Sequence, residues 1–228
     1  MSSGIVVITG ASRGIGAATA QRFAADGATV VRLARSEMVP LTGAFDVRVD
    51  LADPVDRRRA LDLVARELGT PDVLINNAGA FLLASLEDTS DELLREQLAI
   101  NLEAPLAVAR RFLPAMKARA SGTHLLVGSI ADWHAFPGNA AYAASKFGAR
   151  GLHEVLLEEC RGSGVRCTLI SPGPTDTAVW DPLDPDSRGD LPSRSEMLSP
   201  DDVAAAIHFA ATQPAHVQIE VLRLGATT

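Results

Sequence analysis

Tyr142 and Lys146 stand four residues apart in a helix-spaced stretch, so both side chains leave one helix face. A phenol titrates near 10 in water, so service as a base near pH 8 requires a fall of roughly 2 units. A neighbouring ammonium favours the phenolate, and a place near the start of a helix adds modestly in the same direction. The pair therefore reads as a proton donor for carbonyl reduction and a proton acceptor for alcohol oxidation. Ser129 precedes Tyr142 by 13 residues, at the end of an apolar run. There its hydroxyl can hydrogen-bond a substrate oxygen on which charge develops.

A second constellation lies near the start of the chain. Thr9-Gly10-Ala11-Ser12-Arg13-Gly14-Ile15-Gly16 follows an apolar strand and opens a helix. Helix N-terminal amides attract phosphate, and glycines permit a tight turn with close approach, so a dinucleotide pyrophosphate belongs here. In NAD enzymes an acidic residue about 20 positions further on holds the ribose 2′-hydroxyl. The corresponding strand end is Ala34, followed by Arg35, while Arg13 lies inside the turn. Guanidinium groups suit a 2′-phosphate, so NADP(H) is expected over NAD(H).

These groups need a scaffold. Short β-branched runs at 5–8, 29–33, 45–49, 72–75, 124–128, 166–170 and 218–224 alternate with helical patterns. The helical patterns fall at 14–26, 54–68, 90–101, 102–120, 140–161 and 200–211. Asp53 and Pro54 mark one helix start, Gly27 marks one helix end, and Gly138 or Asn139 caps the helix of Tyr142. Such alternation predicts an α/β, Rossmann-like, doubly wound fold. Its seven-stranded parallel sheet has order 3-2-1-4-5-6-7, helices on both faces, and one domain over 1–228. The segment 36–44 is too short for a crossover helix and reads as a loop or single turn. The segment 178–200, rich in Pro, Asp and Ser, reads as a substrate lid.

The glycine spacing Gly-x-x-x-Gly-x-Gly resembles that of the short-chain dehydrogenase/reductase family. So do Asn76-Asn77-Ala78-Gly79, Ser129, Tyr142-Ala-Ala-Ser-Lys146 and Pro172-Gly173, and the resemblance covers nearly the whole chain. It implies a carbonyl–alcohol oxidoreductase (EC 1.1.1.-) with Asn101, Ser129, Tyr142 and Lys146 as its catalytic set. Asn101 would support a water linking Lys146 to solvent. Gly10, Ser12, Arg13, Gly14, Ile15 and Gly16 would hold the cofactor. Arg35, Asp50 and Leu51 would meet its adenosine end, with Asn77, Ala78 and Gly79 beside them. Tyr142 and Lys146 would reach the nicotinamide half, along with Pro172, Gly173, Thr175 and Thr177. Ala131, Asn139 and Trp180 are expected at the substrate, with Trp133 and His134 nearby. The family also implies a homodimer or homotetramer. The alternative is a catalytically silent NAD(P)-binding regulatory protein, in which the Ser/Tyr/Lys set is often broken.

Composition narrows the rest. The 228 residues are 47% hydrophobic, enough for a sizeable core. A net charge of −7 argues against nucleic acid as partner. No signal segment and no apolar run of about 18 residues is evident, so no membrane association and a cytoplasmic location are expected. Cys160 and Cys167 lack metal or redox spacing, and no metal is expected. The expected partner is a small-molecule alcohol or carbonyl compound.

Overall fold

The computed structural model describes residues 4–227, so residues 1–3 and 228 of the expected domain lie outside it. Seven parallel strands form one sheet in the order 3-2-1-4-5-6-7, as predicted. They are β1 (Ile5–Thr9), β2 (Thr29–Ala34), β3 (Ala44–Arg48), β4 (Val73–Asn76), β5 (Gly122–Val127), β6 (Val165–Pro172) and β7 (Val221–Leu224). The helices are α1 (Gly14–Ala25), α2 (Pro54–Glu67), α3 (Asp91–Leu98), α4 (Ala104–Ala118), α5 (Ala140–Cys160) and α6 (Pro200–Ala211).

Strand alternation sorts side chains into two cores. Val7 and Leu74 face one way, against Ala60 and Val64 of α2, Val108 and Phe112 of α4 and Leu156 of α5. Val6, Ile8 and Ile75 face the other way, against Phe23 of α1 and Val203 and Ile207 of α6. Helices thus cover both faces, and the strand C-termini open together at one edge. The reversal of strand order between β1 and β4 lies at that edge, where such sheets bind ligands.

Caps agree with the sequence where a side chain can form them. Asp53 accepts from the amides of Val55 and Asp56, and Gly27 follows α1 at φ 83°. Asn139 occupies the N-cap of α5 but makes no side-chain cap bond.

Three elements differ in detail from the sequence reading. The expected helices 90–101 and 102–120 are one continuous run, because a π-helical segment, Ala99–Glu103, joins α3 to α4. Asn101 therefore sits within a widened turn and not at a break. The segment 178–200 carries three short 3-10 helices, Ala178–Leu183, Pro185–Ser187 and Arg194–Glu196. The last strand begins at Val221, not at Gln218, whose amide instead pairs with both backbone groups of Cys167. The stretch between β2 and β3 is a loop, one of the two forms expected for 36–44. No helix among the described residues is long and apolar enough to cross a membrane.

Candidate active site

The turn after β1 is a backbone cradle. Gly10 has φ 68°, and a Cβ there would lie 2.8 Å from Ala78 Cα. A Cβ on Gly16 would lie 2.3 Å from Gly10 O, so α1 begins against the turn itself. Arg13, at the N-cap of α1, offers no side-chain acceptor to the first-turn amides. Those amides keep the outward-facing donors that bind phosphate.

The Asn76-Asn77-Ala78-Gly79 loop is fastened to this turn. Thr9 Oγ1 accepts from the amides of Asn77 (3.0 Å) and Ala78 (2.9 Å). Asn77 Nδ2 donates to Thr9 O at 2.9 Å and Gly10 O at 3.2 Å. The loop after β6 closes over from the other side, since a Cβ on Gly14 would lie 3.0 Å from Thr177 Cγ2. Gly173 N donates to Leu224 O (2.8 Å), and Thr175 Oγ1 to Gly173 O (3.0 Å). Three segments distant in sequence thus meet at the strand ends, and the cradle fits a dinucleotide.

At the far end of the cradle, Ala34 is buried while Arg13 and Arg35 are exposed. Arg35 Nη1 stands 3.9 Å from Asp50 Oδ2. Asp50 is fixed from both sides, its amide donating to Asp56 Oδ2 (2.8 Å) and its Oδ1 accepting from Ala52 N (3.0 Å). The Leu51 side chain is buried in the core, and its carbonyl accepts from Arg57. Ser12 and Ile15 are half-buried beside the glycines.

Tyr142, Lys146 and Asn101 are all buried. Lys146 Nζ lies 5.7 Å from the Tyr142 ring centre and donates to Val127 O at 3.2 Å. Asn101 Oδ1 accepts from Ala80 N at 3.0 Å, and its Nδ2 donates to Ala80 O at 2.9 Å and Ser145 Oγ at 3.0 Å. Ser145 in turn donates to Tyr142 O at 2.7 Å. The π segment therefore grips both the 80s loop and the start of α5, a placement common for π-bulges at functional sites. Ser129 caps the short 3-10 helix Ile130–Asp132, its Oγ accepting from Ala131 N at 3.1 Å.

The expected depression of the Tyr142 pKa is overturned. Burial pushes it up to about 12; Ser129 draws it down and the Asp132 charge raises it further. Burial also lowers Lys146 to about 8, with Asp132 opposing that fall. Burial penalises both charged forms, and the Lys146 ammonium is not among the groups that move the phenol.

Two residues of this cluster escape sequence reasoning. Phe81 stands edge-on to Tyr142, with ring centres 4.8 Å apart, and packs on Trp180 at 4.9 Å. Asp132 lies fully buried behind Ser129. Its signal was present as a Ser-x-x-acid capping pattern after a strand. Of the expected substrate residues, Ala131, Asn139 and Trp180 are buried around this cluster, and an isolated bridge pairs Ala84 with Asn139. Trp133 is partly exposed between the guanidinium groups of Arg150 and Arg223, at 3.1 and 3.4 Å from its ring centre. His134 is exposed.

Comparisons agree with this geometry. The short chain dehydrogenase family model matches residues 4–188. An uncharacterized oxidoreductase of Staphylococcus saprophyticus is 32% identical, covering 92% of this chain and 90% of its own. A metagenomic short-chain oxidoreductase solved with NADP superposes at TM-score 0.83 with 32% identity, covering 100% of this chain and 98% of its own. An alcohol dehydrogenase from the archaeon Thermococcus sibiricus, complexed with 5-hydroxy-NADP, superposes at TM-score 0.85. It is 27% identical, covering 99% of this chain and 97% of its own.

Proposed function

The chain belongs to the short-chain dehydrogenase family, and on that premise we propose an NADP(H)-dependent oxidoreductase that interconverts a carbonyl compound and a primary or secondary alcohol. The observation that carries the reading is the burial of one phenol and one ammonium on a shared face of α5, beside the Ser129 hydroxyl. Tyr142 gives its proton to the substrate oxygen in reduction and takes it back in oxidation. Ser129, its backbone fixed by the cap, holds that oxygen through its hydroxyl. Lys146 supplies positive charge at the end of β5. Asn101 braces the helix that presents both.

The nicotinamide supplies or accepts the hydride when bound. Gly10, Ser12, Arg13, Gly14, Ile15 and Gly16 would hold its pyrophosphate. Asp50 and the backbone of Leu51 would meet the adenine, with Asn77, Ala78 and Gly79 alongside. Lys146, Pro172, Gly173, Thr175 and Thr177 would hold the nicotinamide end. The exposed Arg13 and Arg35 favour a 2′-phosphate over a bare hydroxyl. The two solved neighbours that carry NADP or its hydroxy derivative support the same choice.

The chain works as one domain with the segment 178–200 as lid, Trp180 and Asn139 lining the substrate space beside Ala131. Exposed Leu106 on α4 and Phe147 and Val155 on α5 support self-association of these helices into a homodimer or homotetramer. A cytoplasmic setting fits two buried free thiols. The reading is tested by NADPH and NADH oxidation against a panel of aldehydes, ketones, keto acids and quinones. Turnover with NADPH preferred is expected, and Tyr142→Phe should abolish it while NADPH still binds. Absence of turnover across the panel, or near-normal activity of Tyr142→Phe, refutes the reading.

A further inference from the structure

Cys160 and Cys167 lack redox spacing in the chain, yet the fold brings their thiols together. Cys160 ends α5 and Cys167 lies on β6, both buried in one core cluster. Cys167 Sγ donates to Leu156 O at 3.7 Å. That carbonyl belongs to the last turn of α5, where the Cys160 amide, four residues on, donates to it as well. The Cys167 sulfur thus stands against the turn that carries Cys160, and the two thiols hydrogen-bond to each other. Both backbones are pinned around the pair. Ser163 Oγ donates to Cys160 O at 2.6 Å, and the Gln218 side-chain amide donates to Cys167 O and accepts from Cys167 N.

The two sulfurs are unlike. The hydrogen bond from Cys167 draws the Cys160 thiol down, and Lys117 acts in the same direction, while burial and Glu159 oppose the fall. Cys167, the donor, is pushed up by the same bond, by burial and by the Cys160 charge. One sulfur therefore favours the thiolate, the nucleophilic form, and the other keeps its proton. A cavity of about 250 Å³ opens beside Cys160, lined by Arg161, Gly162, Arg166, Ala215 and Gln218 among others. Arg161, Gly162 and Ala215 are exposed, so a small molecule reaches the cavity from the surface. The turn 161–164, which joins the two cysteines to within a few residues, is itself largely exposed. It can absorb the small approach that a sulfur–sulfur bond requires.

We propose that Cys160 and Cys167 form a modification site at which hydrogen peroxide converts the dithiol reversibly into an intrachain disulfide, tying the end of α5 to β6. The Cys160 thiolate attacks one peroxide oxygen and the O–O bond breaks. The other oxygen leaves as hydroxide and takes up a proton to give water, and Cys160 is oxidised to a sulfenic acid. Cys167 then gives up its proton, its sulfur attacks Cys160 Sγ, and the S–O bond breaks. The hydroxide that leaves takes that proton as the second water. Two thiols are oxidised and one peroxide is reduced. A dithiol reductant reverses the change by thiol–disulfide exchange.

The test needs neither substrate nor cofactor. The folded wild type is exposed to hydrogen peroxide while far-ultraviolet circular dichroism is followed, and its thiols, intact mass and unreduced tryptic map are then read. Cys160 and Cys167 are the only cysteines, and Arg161 and Arg166 lie between them, so trypsin separates the two unless a disulfide joins them. Both thiols are expected to disappear together, the mass to fall by two hydrogens, and one cross-linked peptide pair to appear. Dithiothreitol should restore both thiols. Cys167→Ser should stop at a Cys160 sulfenic acid that dimedone traps, whereas Cys160→Ser should keep its Cys167 thiol under the same exposure. Cys167→Ala and Cys160→Ala serve in their place if a serine variant does not fold. The proposal is overturned by thiols that persist in the folded wild type, or by oxidation to sulfinic acid without a cross-link. A disulfide found only between two chains, or only once the circular dichroism signal is lost, overturns it equally.

Discussion

The Phe81 ring meets the Tyr142 ring edge-on, at an interplanar angle of 71°. Trp180, from the segment after β6, packs on Phe81 in turn. The phenol thus joins a cluster of three aromatic rings contributed from three distant parts of the chain, with Phe81 in the middle. Phe81→Ala removes the middle ring. It should admit water and larger substrates, so aryl ketones gain in kcat/KM relative to short aldehydes. The folded phenol should also ionise at lower pH, because burial is the main cause of its elevated pKa. Unchanged substrate ranking together with an unchanged phenol titration would show that Phe81 does not shape the site.

Arg194 ties the lid to the loop beside the glycine cradle. One guanidinium nitrogen donates to Asp176, which sits between Thr175 and Thr177, and the other donates to Asp181 at 2.7 Å. Its backbone amide donates to Asp186 at 2.8 Å, fastening a second lid turn. These are surface contacts, so they should act on local order and not on global unfolding. Arg194→Ala should speed proteolytic cleavage within 184–194 and raise KM, with the urea unfolding midpoint nearly unchanged. Cleavage at the wild-type rate would show that the clamp does not hold the lid.

Much of this architecture could be read from local sequence. The buried strands appear as β-branched runs, and the glycine turn, Tyr142 and Lys146 appear as spacings within one element. What sequence spacing could not show depends on approach through space. Phe81 and Trp180 meet from opposite ends of the chain order, and nothing near Phe81 marks it as a wall of the site. Pro105, which cannot donate to the carbonyl of Asn101, marks the π segment in the sequence, but it reads equally well as the first turn of a new helix, so a widened turn looked like two helices. The Tyr142 shift was misjudged in sign because spacing reveals the nearby lysine but not the burial of both partners. Asp132 was visible as a cap, yet its burial between the ends of β5 and β6 is a property of the packed sheet.

The π segment makes a prediction of its own. Asn101 bonds both backbone groups of Ala80 and the Ser145 hydroxyl, so it couples the loop carrying Phe81 to the start of α5. Asn101→Ala leaves the half-buried amide and carbonyl of Ala80 without their side-chain partner. A fully buried unsatisfied group costs about 1–3 kcal/mol, so these half-buried ones cost less each. The variant should unfold at lower urea and lose turnover. Asn101→Asp, which keeps the acceptor for Ala80 N, should recover part of the stability but not the donor to Ser145. Equal stability of all three proteins would show that the network is not formed in solution.

His124 predicts how the fold responds to acid. It is fully buried on β5, its Nε2 lies 3.0 Å from Asn76 Nδ2, and burial lowers its pKa to about 3, with His153 adding to the fall. With Asn76 donating to Nε2, the ring is neutral in the folded chain. An unfolded histidine titrates near 6.5, so below that pH the unfolded chain takes up a proton that the folded chain refuses. The stability linked to His124 is therefore complete above about pH 6.5 and falls as pH drops towards 3, by about 1.4 kcal/mol per unit at most. His153, lowered chiefly by burial and partly held up by Glu220, acts in the same direction. Carboxylates with lowered pKa, such as Asp56 and Asp202, lose their contribution only nearer their own range, below about 4.5. Between pH 7 and 5 the contribution of these carboxylates stays constant, so the difference in urea unfolding between wild type and a His124 variant reports the buried histidine. The wild type should lose stability steadily across that window. His124→Leu should begin lower, because Asn76 loses an acceptor, and should decline less steeply. Parallel slopes for the two proteins would mean that His124 accepts a proton in the folded state and that its burial is not the source of acid sensitivity.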